Sequence, residues 1–309
     1  MTSSIERISV IGAGAMGATF ACKFFDMDKN CISLVAKGER YDLLKEKGLI
    51  VNNKHYSLSV IKPEDKTPHS DLIIVAVKHH HLREAIQDIG NVIGENSLIL
   101  SVMNGIDSEE QIGDVYGMDK VLYTVAIDID AVREGNRITY TRPGKLFFGE
   151  AENLNLTDRV KRVQSLFDRA RIAYENPDDM IRILWWKFMI NVGINQVSAI
   201  LGAPYEVFQT VQEARELMES AMREVMSIAK AAKVHLYEED IENWYPVLSG
   251  LSPQGKTSML QDVEAKRKTE VEIFAGKVIE LGKTYGIPTP VNETIFRLIK
   301  VIEQYLDYD

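Results

Sequence analysis

The chain lacks the features that mark several large classes of protein. No stretch reaches the ~18 consecutive apolar residues that a membrane-spanning helix needs. The two cysteines, Cys22 and Cys31, show neither metal-site spacing nor a disulfide framework, which favours a reducing cytoplasm. Because 45 acidic residues outweigh 36 basic ones, for a net charge of −9, we expect no nucleic-acid partner. The N-terminal segment runs into a predicted strand, so we also expect no secretory signal.

The first half of the chain alternates short β-branched runs with helical stretches. A length of 309 residues favours two domains, and a hydrophobic share of 45% is typical of a compact protein. The runs ISVIGAG, CISLVAK, LIIVAVK and SLILSVMN predict a parallel sheet with crossover helices. Three later runs, VLYTVAIDID, RITYTR and KLFFGE, predict an antiparallel extension of the same sheet, which the short strand in RIAYENP completes.

The second half changes character after Pro177. Long helices are predicted for ILWWKFMINVGINQVSAIL, for EARELMESAMREVMSIAKAAK and for the run from Lys256 to Tyr285. The predicted fold is therefore α/β, an N-terminal Rossmann-type doubly wound sheet with an all-α C-terminal domain. We place the first domain at residues 1–177 and the helical substrate or dimerisation domain at residues 178–309. Apolar positions on the C-terminal helices suit either the core or a homodimer interface.

A glycine-rich turn joins the first predicted strand to the first predicted helix. Its sequence G-A-G-A-M-G comprises Gly12, Ala13, Gly14, Ala15, Met16 and Gly17. The first glycine permits a tight turn, the second lets the backbone approach a pyrophosphate, and the third lets helix pack on strand. A strand-to-helix turn that binds nothing would look similar, but the flanking strands stand where a dinucleotide site needs them. We therefore expect these residues to bind a nicotinamide dinucleotide.

The second predicted strand ends in two cations rather than in an acid. Enzymes that prefer NAD usually carry Asp or Glu here, whereas this chain has Lys37, followed by Arg40. A cation can pair with the 2′-phosphate of NADP, so Lys37 favours NADPH. The alternative is an ordinary solvated loop lysine.

Two stripes of polar residues recur every four positions in the predicted C-terminal helices. The first, Lys187, Asn191 and Asn195, lies on one face of an otherwise apolar helix, so it borders either a wet cleft or a helix–helix polar seam. Lys187 stands among aromatic residues, which would lower its pKa and suit proton donation near neutrality. The second stripe contains Ser258, Asp262, Lys266 and Glu270, for which a solvated charged face is the plainer interpretation.

Lys78 and Asn104 follow two predicted strands of the parallel sheet. The carboxyl edge of such a sheet is where doubly wound folds bind their ligands, so both residues are expected at the cofactor crevice. His79, His80 and His81 are consecutive, and adjacent side chains point in different directions, so no metal is expected.

Taken together, these motifs resemble those of ketopantoate reductase, also called 2-dehydropantoate 2-reductase. The resemblance rests on GAGAMG, VAVK, MNGID, WWKFMINVGIN, SMLQD followed by KRKTEVE, and YGIPTP, and it spans nearly the whole length. It implies NADPH-dependent reduction of 2-dehydropantoate to (R)-pantoate, on the route to pantothenate and coenzyme A.

The resemblance also implies roles for individual residues. Lys187 is similar to the family's general acid, and Glu270 to the acid that works with it. Lys37 stands at the position of the family's phosphate-binding cation, and Asp262 is expected to support the other site residues. The implied substrate-binding residues are Asn191, Asn195, Ser258 and Asn104, and the implied cofactor-binding residues beyond the glycine loop are Lys37, Lys78, Asn104 and Glu270.

Two departures from the family pattern leave the substrate open. Gln196 stands where a proline is frequent, and Thr257 precedes Ser258 where a serine is frequent. The alternatives are a related D-2-hydroxy-acid dehydrogenase that acts on another 2-oxo acid, and a non-catalytic NADP-binding protein. The presence of both Lys187 and Glu270 argues against the latter.

Overall fold

In a computed structural model, the apolar runs of the first half form one large sheet. The structure describes residues 4–306. The outer ends of the two predicted domains, 1–3 and 307–309, lie outside the described residues. The strands are β1 Ile8–Ile11, β2 Ile32–Val35, β3 Leu49–Val51, β4 Lys54–Tyr56, β5 Ser59–Ile61, β6 Ser70–Val75, β7 Ile93–Ser101, β8 Val121–Ile129, β9 Val132–Glu134, β10 Arg137–Thr139, β11 Pro143–Gly149 and β12 Tyr174–Glu175. The large sheet has the order β12-β11-β8-β7-β6-β1-β2-β5. From β5 to β8 the neighbours are parallel, and β11 is antiparallel to β8.

Helices cover both faces of this sheet. The helices of the first half are α1 Ala15–Met27, α2 Gly38–Lys47, α3 Leu82–Asp88, α4 Ser108–Tyr116 and α5 Asp158–Ala170. On one face Val10 and Leu72 share a buried cluster with Phe20 of α1, and on the other Ile73 shares one with Leu82 of α3. Successive side chains of a strand point to opposite faces, so a strand buried on both sides appears in the sequence as an unbroken apolar run. The predicted Rossmann-type doubly wound sheet is confirmed.

The predicted place of one strand is wrong. RITYTR provides β10, which does not extend the large sheet but lies in a second sheet of order β4-β3-β10-β9. A two-residue turn at Gly135 and Asn136 pairs Arg137 with Glu134, so β10 folds back on β9, and it runs parallel to β3 on its other side. The positive φ of 63° at Gly135 is what such a tight hairpin turn requires. The local sequence predicts that β10 is a strand, whereas the turn at Gly135 determines that its neighbour is β9.

The second half is helical, as predicted. Its helices are α6 Met180–Leu201, α7 Tyr205–Thr210, α8 Gln212–Ala231, α9 Glu238–Glu242, α10 Trp244–Ser249, α11 Ser258–Glu264, α12 Ala275–Tyr285 and α13 Pro290–Leu306. Gly193 allows α6 to approach α8, because a Cβ atom there would lie 2.6 Å from Met222 Cε and 3.0 Å from the Met218 carbonyl oxygen. The chain divides into two compact units, Met1–Ile183 and Leu184–Asp309. The functional boundary at residue 177 stays a prediction.

The predicted continuous helix from Lys256 to Tyr285 is also wrong. Helix α11 ends at Glu264, and Lys266 then adopts a left-handed conformation with φ of 50°. The N–H of Arg267 donates to the Asp262 carbonyl at 2.8 Å and the N–H of Lys266 to the Val263 carbonyl at 3.0 Å, which is a Schellman cap. Because a lysine rather than a glycine takes the left-handed position, the sequence carries no visible stop signal.

No helix within residues 4–306 is long and apolar enough to cross a membrane. Cys22 and Cys31 are both buried free thiols.

Candidate active site

The glycine-rich turn has the geometry of a phosphate cradle. Gly12 adopts φ of +96°, and a Cβ atom there would lie 2.5 Å from the backbone of Ala76, beyond β6. A Cβ atom at Gly17 would overlap the carbonyl oxygen of Gly12. At Gly14, which caps α1 without a side-chain hydrogen bond, a Cβ atom would meet nothing within 4 Å. The open space at Gly14 and the uncapped N–H groups of α1 fit the pyrophosphate of a dinucleotide.

Lys37 is held by two carboxylates of α3, the helix between β6 and β7. It caps α2, and its Nζ atom lies 2.7 Å from Glu84 Oε1 and 2.8 Å from Asp88 Oδ1, both on α3. The hydrogen bonds that Lys37 donates to Asp88 and Glu84 raise the pKa of Lys37. Arg40, one turn along α2, donates from Nη2 to the carbonyl of Ala13 within the glycine-rich turn. The structure therefore presents two cations near the end of β2, and among residues 4–306 acids pair with Lys37 but not with Arg40.

Lys78 and Asn104 stand at the same edge of the sheet as the glycine-rich turn. Lys78 follows β6 and Asn104 follows β7, and these neighbouring parallel strands are in register with Val75 opposite Ser101. Both residues therefore lie at the carboxyl edge of the sheet, where Gly12 follows β1, as the sequence predicts.

Glu109 was not singled out by the sequence, yet it is a buried acid close to this edge. It lies in the first turn of α4 with only 2% of its surface exposed, and it accepts a hydrogen bond from Ser108 Oγ at 2.8 Å. Burial raises the pKa of Glu109 to about 7. An acidic side chain in the first turn of a helix is usually exposed to solvent, where its charge favours the helix N-terminus. Nothing in the local sequence therefore reveals that Glu109 is buried.

In the second unit, three of the predicted polar residues form one hydrogen-bonded row. Asn195 donates from Nδ2 to Asn191 Oδ1 at 3.0 Å, and Ser258 donates from Oγ to Asn195 Oδ1 at 3.3 Å. Asn195 is 6% exposed, whereas Ser258 at the start of α11 is open to solvent. The row therefore runs from a buried amide to an accessible hydroxyl, which is an arrangement that can bind a small polar ligand.

Lys187 lies one turn before this row on α6. Burial lowers the pKa of Lys187 from 10.5 to about 8, and the negative charge of Glu270 opposes that shift. Glu270 is itself 6% exposed. A lysine with such a pKa exchanges its proton near neutral pH, which is the property that a general acid needs.

The predicted four-residue stripe from Ser258 to Glu270 is wrong as a single helix face. Only Ser258 and Asp262 share a helix, because α11 ends at Glu264, and Asp262 pairs with Arg267 Nε at 3.0 Å. Glu270 comes after the Schellman cap in an irregular segment. There Thr269 donates to Glu303 Oε1 of α13 from its backbone N at 2.9 Å and from Oγ1 at 2.7 Å.

Gln196 has a structural role that its sequence position alone did not show. Its side chain is fully buried, its Oε1 atom accepts the N–H of Ala275 at 2.9 Å, and its Nε2 atom donates to the Val192 carbonyl at 2.7 Å. Gln196 thus ties α6 to the first residue of α12. The partner is 79 residues away, so no local pattern could indicate it.

The three histidines form a 3-10 turn, His79–His81, directly after Lys78. Within the part of the chain that the structure describes, no group of three or more His, Cys, Asp or Glu residues could hold a metal ion.

Family models agree with the folded units. The model described as ketopantoate reductase PanE/ApbA matches residues 8–153, and its C-terminal counterpart matches residues 179–303. The chain belongs to the ketopantoate reductase family. The resemblance noted in the sequence is confirmed, and the protein is an oxidoreductase of this family.

Relatives within the family cover almost the whole chain. The 2-dehydropantoate 2-reductase of Aquifex aeolicus is 25% identical over 307 residues, 97% of this chain and 98% of that protein. The enzyme of the same name from Archaeoglobus fulgidus is 26% identical over 309 residues, 98% of this chain and 99% of that protein.

Solved structures share the fold at lower identity. D-mandelate dehydrogenase in complex with NADH and anilino(oxo)acetate superposes with a TM-score of 0.88 and 22% identity, over 97% of this chain and 99% of that one. The PanE/ApbA family ketopantoate reductase of Ralstonia eutropha JMP134 gives a TM-score of 0.85 and 20% identity over the same shares.

Proposed function

We propose that this ketopantoate reductase family member reduces 2-dehydropantoate to (R)-pantoate with NADPH, in pantothenate and coenzyme A biosynthesis. The observation that carries the proposal is Lys187, whose pKa is lowered to about 8 beside Glu270 and the row formed by Asn191, Asn195 and Ser258. A lysine that can release a proton near neutrality, next to groups that bind hydroxyls and carboxylates, suits the reduction of a small 2-oxo acid.

In this mechanism Lys187 is the general acid that protonates the carbonyl oxygen of the substrate. The bound cofactor would supply a hydride to the 2-keto carbon. Glu270 keeps Lys187 in its charged form, because its negative charge opposes the loss of the proton. Asn191, Asn195 and Ser258 would hold the hydroxyl and carboxylate groups.

The dinucleotide would be held by the residues at the carboxyl edge of the sheet. The glycine-rich turn from Gly12 to Gly17 fits the pyrophosphate, since Gly14 leaves open space at the start of α1. Lys78 and Asn104 would lie near the nicotinamide, with Asn104 also contacting substrate. Lys37 and Arg40 are the cations that fit the extra phosphate of NADPH.

A related D-2-hydroxy-acid dehydrogenase activity is the second candidate. The fold is shared with D-mandelate dehydrogenase, and Gln196 replaces a proline frequent in the family directly after Asn195. Because the buried Gln196 side chain fixes the start of α12, it would alter the pocket shape while leaving the reacting groups in place.

The test is the oxidation of NADPH, followed by its absorbance, with 2-dehydropantoate, pyruvate, 2-oxoisovalerate and phenylglyoxylate, each repeated with NADH. The matched control is Lys187→Met, which removes the acid and keeps the length of the side chain. Turnover of 2-dehydropantoate well above the other acids supports the proposal. A clear preference for another acid favours the second candidate, and no turnover of any acid contradicts both.

We also propose a homodimer in a reducing compartment. A ketopantoate reductase from Staphylococcus aureus described as dimeric shares the fold, with a TM-score of 0.79 and 21% identity. Cys22 and Cys31 are free thiols, which is the state a reducing compartment maintains. Sedimentation equilibrium of the wild-type protein would test the assembly, and a single monomeric species would contradict it.

A further inference from the structure

Glu270 lies in a short segment between α11 and α12 that is irregular apart from the 3-10 turn Val271–Ile273. Glu270 and both of its neighbours, Thr269 and Val271, are buried. Buried backbone outside a helix or strand needs hydrogen-bond partners from other parts of the chain, and those partners fix its conformation. The groups that bind this segment therefore determine where the Glu270 carboxylate lies.

The hydroxyl of Thr269 links both neighbours of Glu270 to one carboxylate of α13. Thr269 Oγ1 donates to Glu303 Oε1 at 2.7 Å, and the same Oγ1 atom accepts the backbone N–H of Val271 at 3.3 Å. The backbone N–H of Thr269 also donates to Glu303 Oε1, at 2.9 Å. The residues on either side of Glu270 are thus held by one hydrogen-bond network that ends on Glu303.

Glu303 is in turn held by Lys300, which lies one turn earlier on α13. Lys300 Nζ donates to Glu303 Oε2 and, at 3.1 Å, to Glu272 Oε1 of the same segment, and Lys268 Nζ lies 3.8 Å from Glu272 Oε1. Burial alone would raise the pKa of Glu303, but the hydrogen bonds from Lys300 and Thr269 outweigh it and lower that pKa. Glu303 is therefore a carboxylate at neutral pH, with both oxygens in use as acceptors.

The far end of the segment is fastened to α6, the helix that carries Lys187. There Gln196 Oε1 accepts the N–H of Ala275 at 2.9 Å, so α13 supplies the anchor at the Glu270 end. The charge of Glu270 opposes the lowering of the Lys187 pKa by burial. Because the interaction of two charges weakens with distance, a displaced Glu270 carboxylate would let the pKa of Lys187 fall below about 8.

We propose that Glu303 is a positioning residue for the reaction, which acts through Thr269 to set the place of the Glu270 carboxylate relative to Lys187. The inference rests on the proposed roles of Lys187 and Glu270 in the reduction. Glu303 needs no contact with substrate or cofactor for this, since its effect passes through the backbone on both sides of Glu270.

The experiment compares two substitutions that remove the same charge. Glu303→Ala removes the acceptor of both Thr269 hydrogen bonds, whereas Glu303→Gln keeps a carbonyl oxygen as acceptor. Glu293→Ala is the control, because it removes an acid of the same helix that pairs with Arg297. The pKa of Lys187 is followed by NMR of protein labelled with carbon-13 at the lysine ε carbons, with its signal assigned by its absence from Lys187→Met. The pH dependence of kcat/KM is measured beside it.

An opposite charge within a few ångströms shifts a pKa by about 1 to 3, so partial displacement of Glu270 should lower the pKa of Lys187 by about 0.5 or more in Glu303→Ala. The fall of kcat/KM at high pH should move to lower pH by the same amount. Glu303→Gln and Glu293→Ala should leave both unchanged. Thr269→Val, matched by Thr269→Ser, repeats the test if Glu303→Ala does not fold, because valine lacks the hydroxyl and serine keeps it.

Two results would overturn the proposal. A pKa of Lys187 lowered equally in Glu303→Gln and Glu303→Ala would assign the effect to the charge of Glu303 and not to its hydrogen bonds. An unchanged pKa of Lys187 in Glu303→Ala or in Thr269→Val, even with lower stability in urea, would make the network structural only. A wild-type protein that reduces no 2-oxo acid would instead overturn the proposed function, while the NMR titration, which needs no turnover, would still show whether Glu303 positions Glu270.

Discussion

Replacing Lys187 by Met should remove activity and raise stability in the same variant. The side chain is desolvated on α6, which lowers its pKa from 10.5 to about 8, even with Glu270 nearby. The charged form is therefore held at a cost in the folded protein. Methionine keeps the unbranched shape without the charge, so that cost disappears together with the proposed acid.

The size of the effect follows from the pKa shift. One pKa unit corresponds to about 1.4 kcal/mol, so the shift of Lys187 makes its ammonium group about 3 kcal/mol unfavourable at pH 7. The attraction of Glu270 is already contained in that shift, so it needs no separate correction. Between pH 8 and 10.5 the unfolded chain binds more protons than the folded one, so wild-type stability rises with pH. The advantage of Lys187→Met should thus shrink to about 1 kcal/mol at pH 10.

Urea unfolding of both proteins at pH 7 and pH 10 measures this difference directly. The kcat/KM of wild-type reduction should fall as the pH rises through about 8, because the acid of the free enzyme loses its proton. Removal of the general acid should lower kcat by ~10² to 10⁴ with NADPH affinity retained. A variant that is less stable than wild type at pH 7, or one with unchanged kcat, would refute the reasoning.

Three further changes probe other parts of the molecule. Asn195→Ala breaks the row between Asn191 and Ser258. Steady-state kinetics should then show kcat/KM lowered about 10-fold or more at unchanged NADPH affinity. An unchanged kcat/KM would exclude substrate binding by the row. Gly14→Ala should keep the thermal midpoint and lose dinucleotide affinity, because its Cβ meets no protein atom, whereas Gly17→Ala should lower the midpoint; equal midpoints in the two variants would contradict this. The free energy of unfolding of wild type should fall as the pH rises from 4.5 to about 7, because Glu109 keeps its proton to a higher pH in the folded chain than in the unfolded one. Glu109→Gln should remove this pH dependence. Identical urea unfolding of the two proteins across this pH range would disprove the raised pKa of Glu109.

The elements that the sequence predicts well are those specified by local pattern. β1, β6 and β7 are apolar runs because the sheet is covered on both faces, and the helix through Lys187 is an apolar run long enough to exclude a strand. The glycine-rich turn is equally local, since each glycine answers a steric demand of the adjoining backbone.

The elements that the sequence predicts badly depend on partners far away or on a residue acting against its propensity. β10 has the pattern of its neighbours, yet the Gly135 turn takes it into another sheet. Lys266 ends α11 in a conformation that lysine rarely adopts, so the run of four-residue spacings continued past the true end of the helix. The contacts of Lys37 with Glu84 and Asp88 arise from the crossover geometry, and no spacing in the sequence encodes them.

The break after α11 has a practical consequence for recombining this domain with those of relatives. Thr269, the residue before Glu270, is held by Glu303 from the last turns of α13. The first residue of α12, in turn, is fixed by Gln196 of α6. The segment that contains Glu270 therefore cannot be exchanged by itself. In a chimaera, α6, α11, α12 and α13 should come from the same parent, with the junctions placed before α6 and after Glu303.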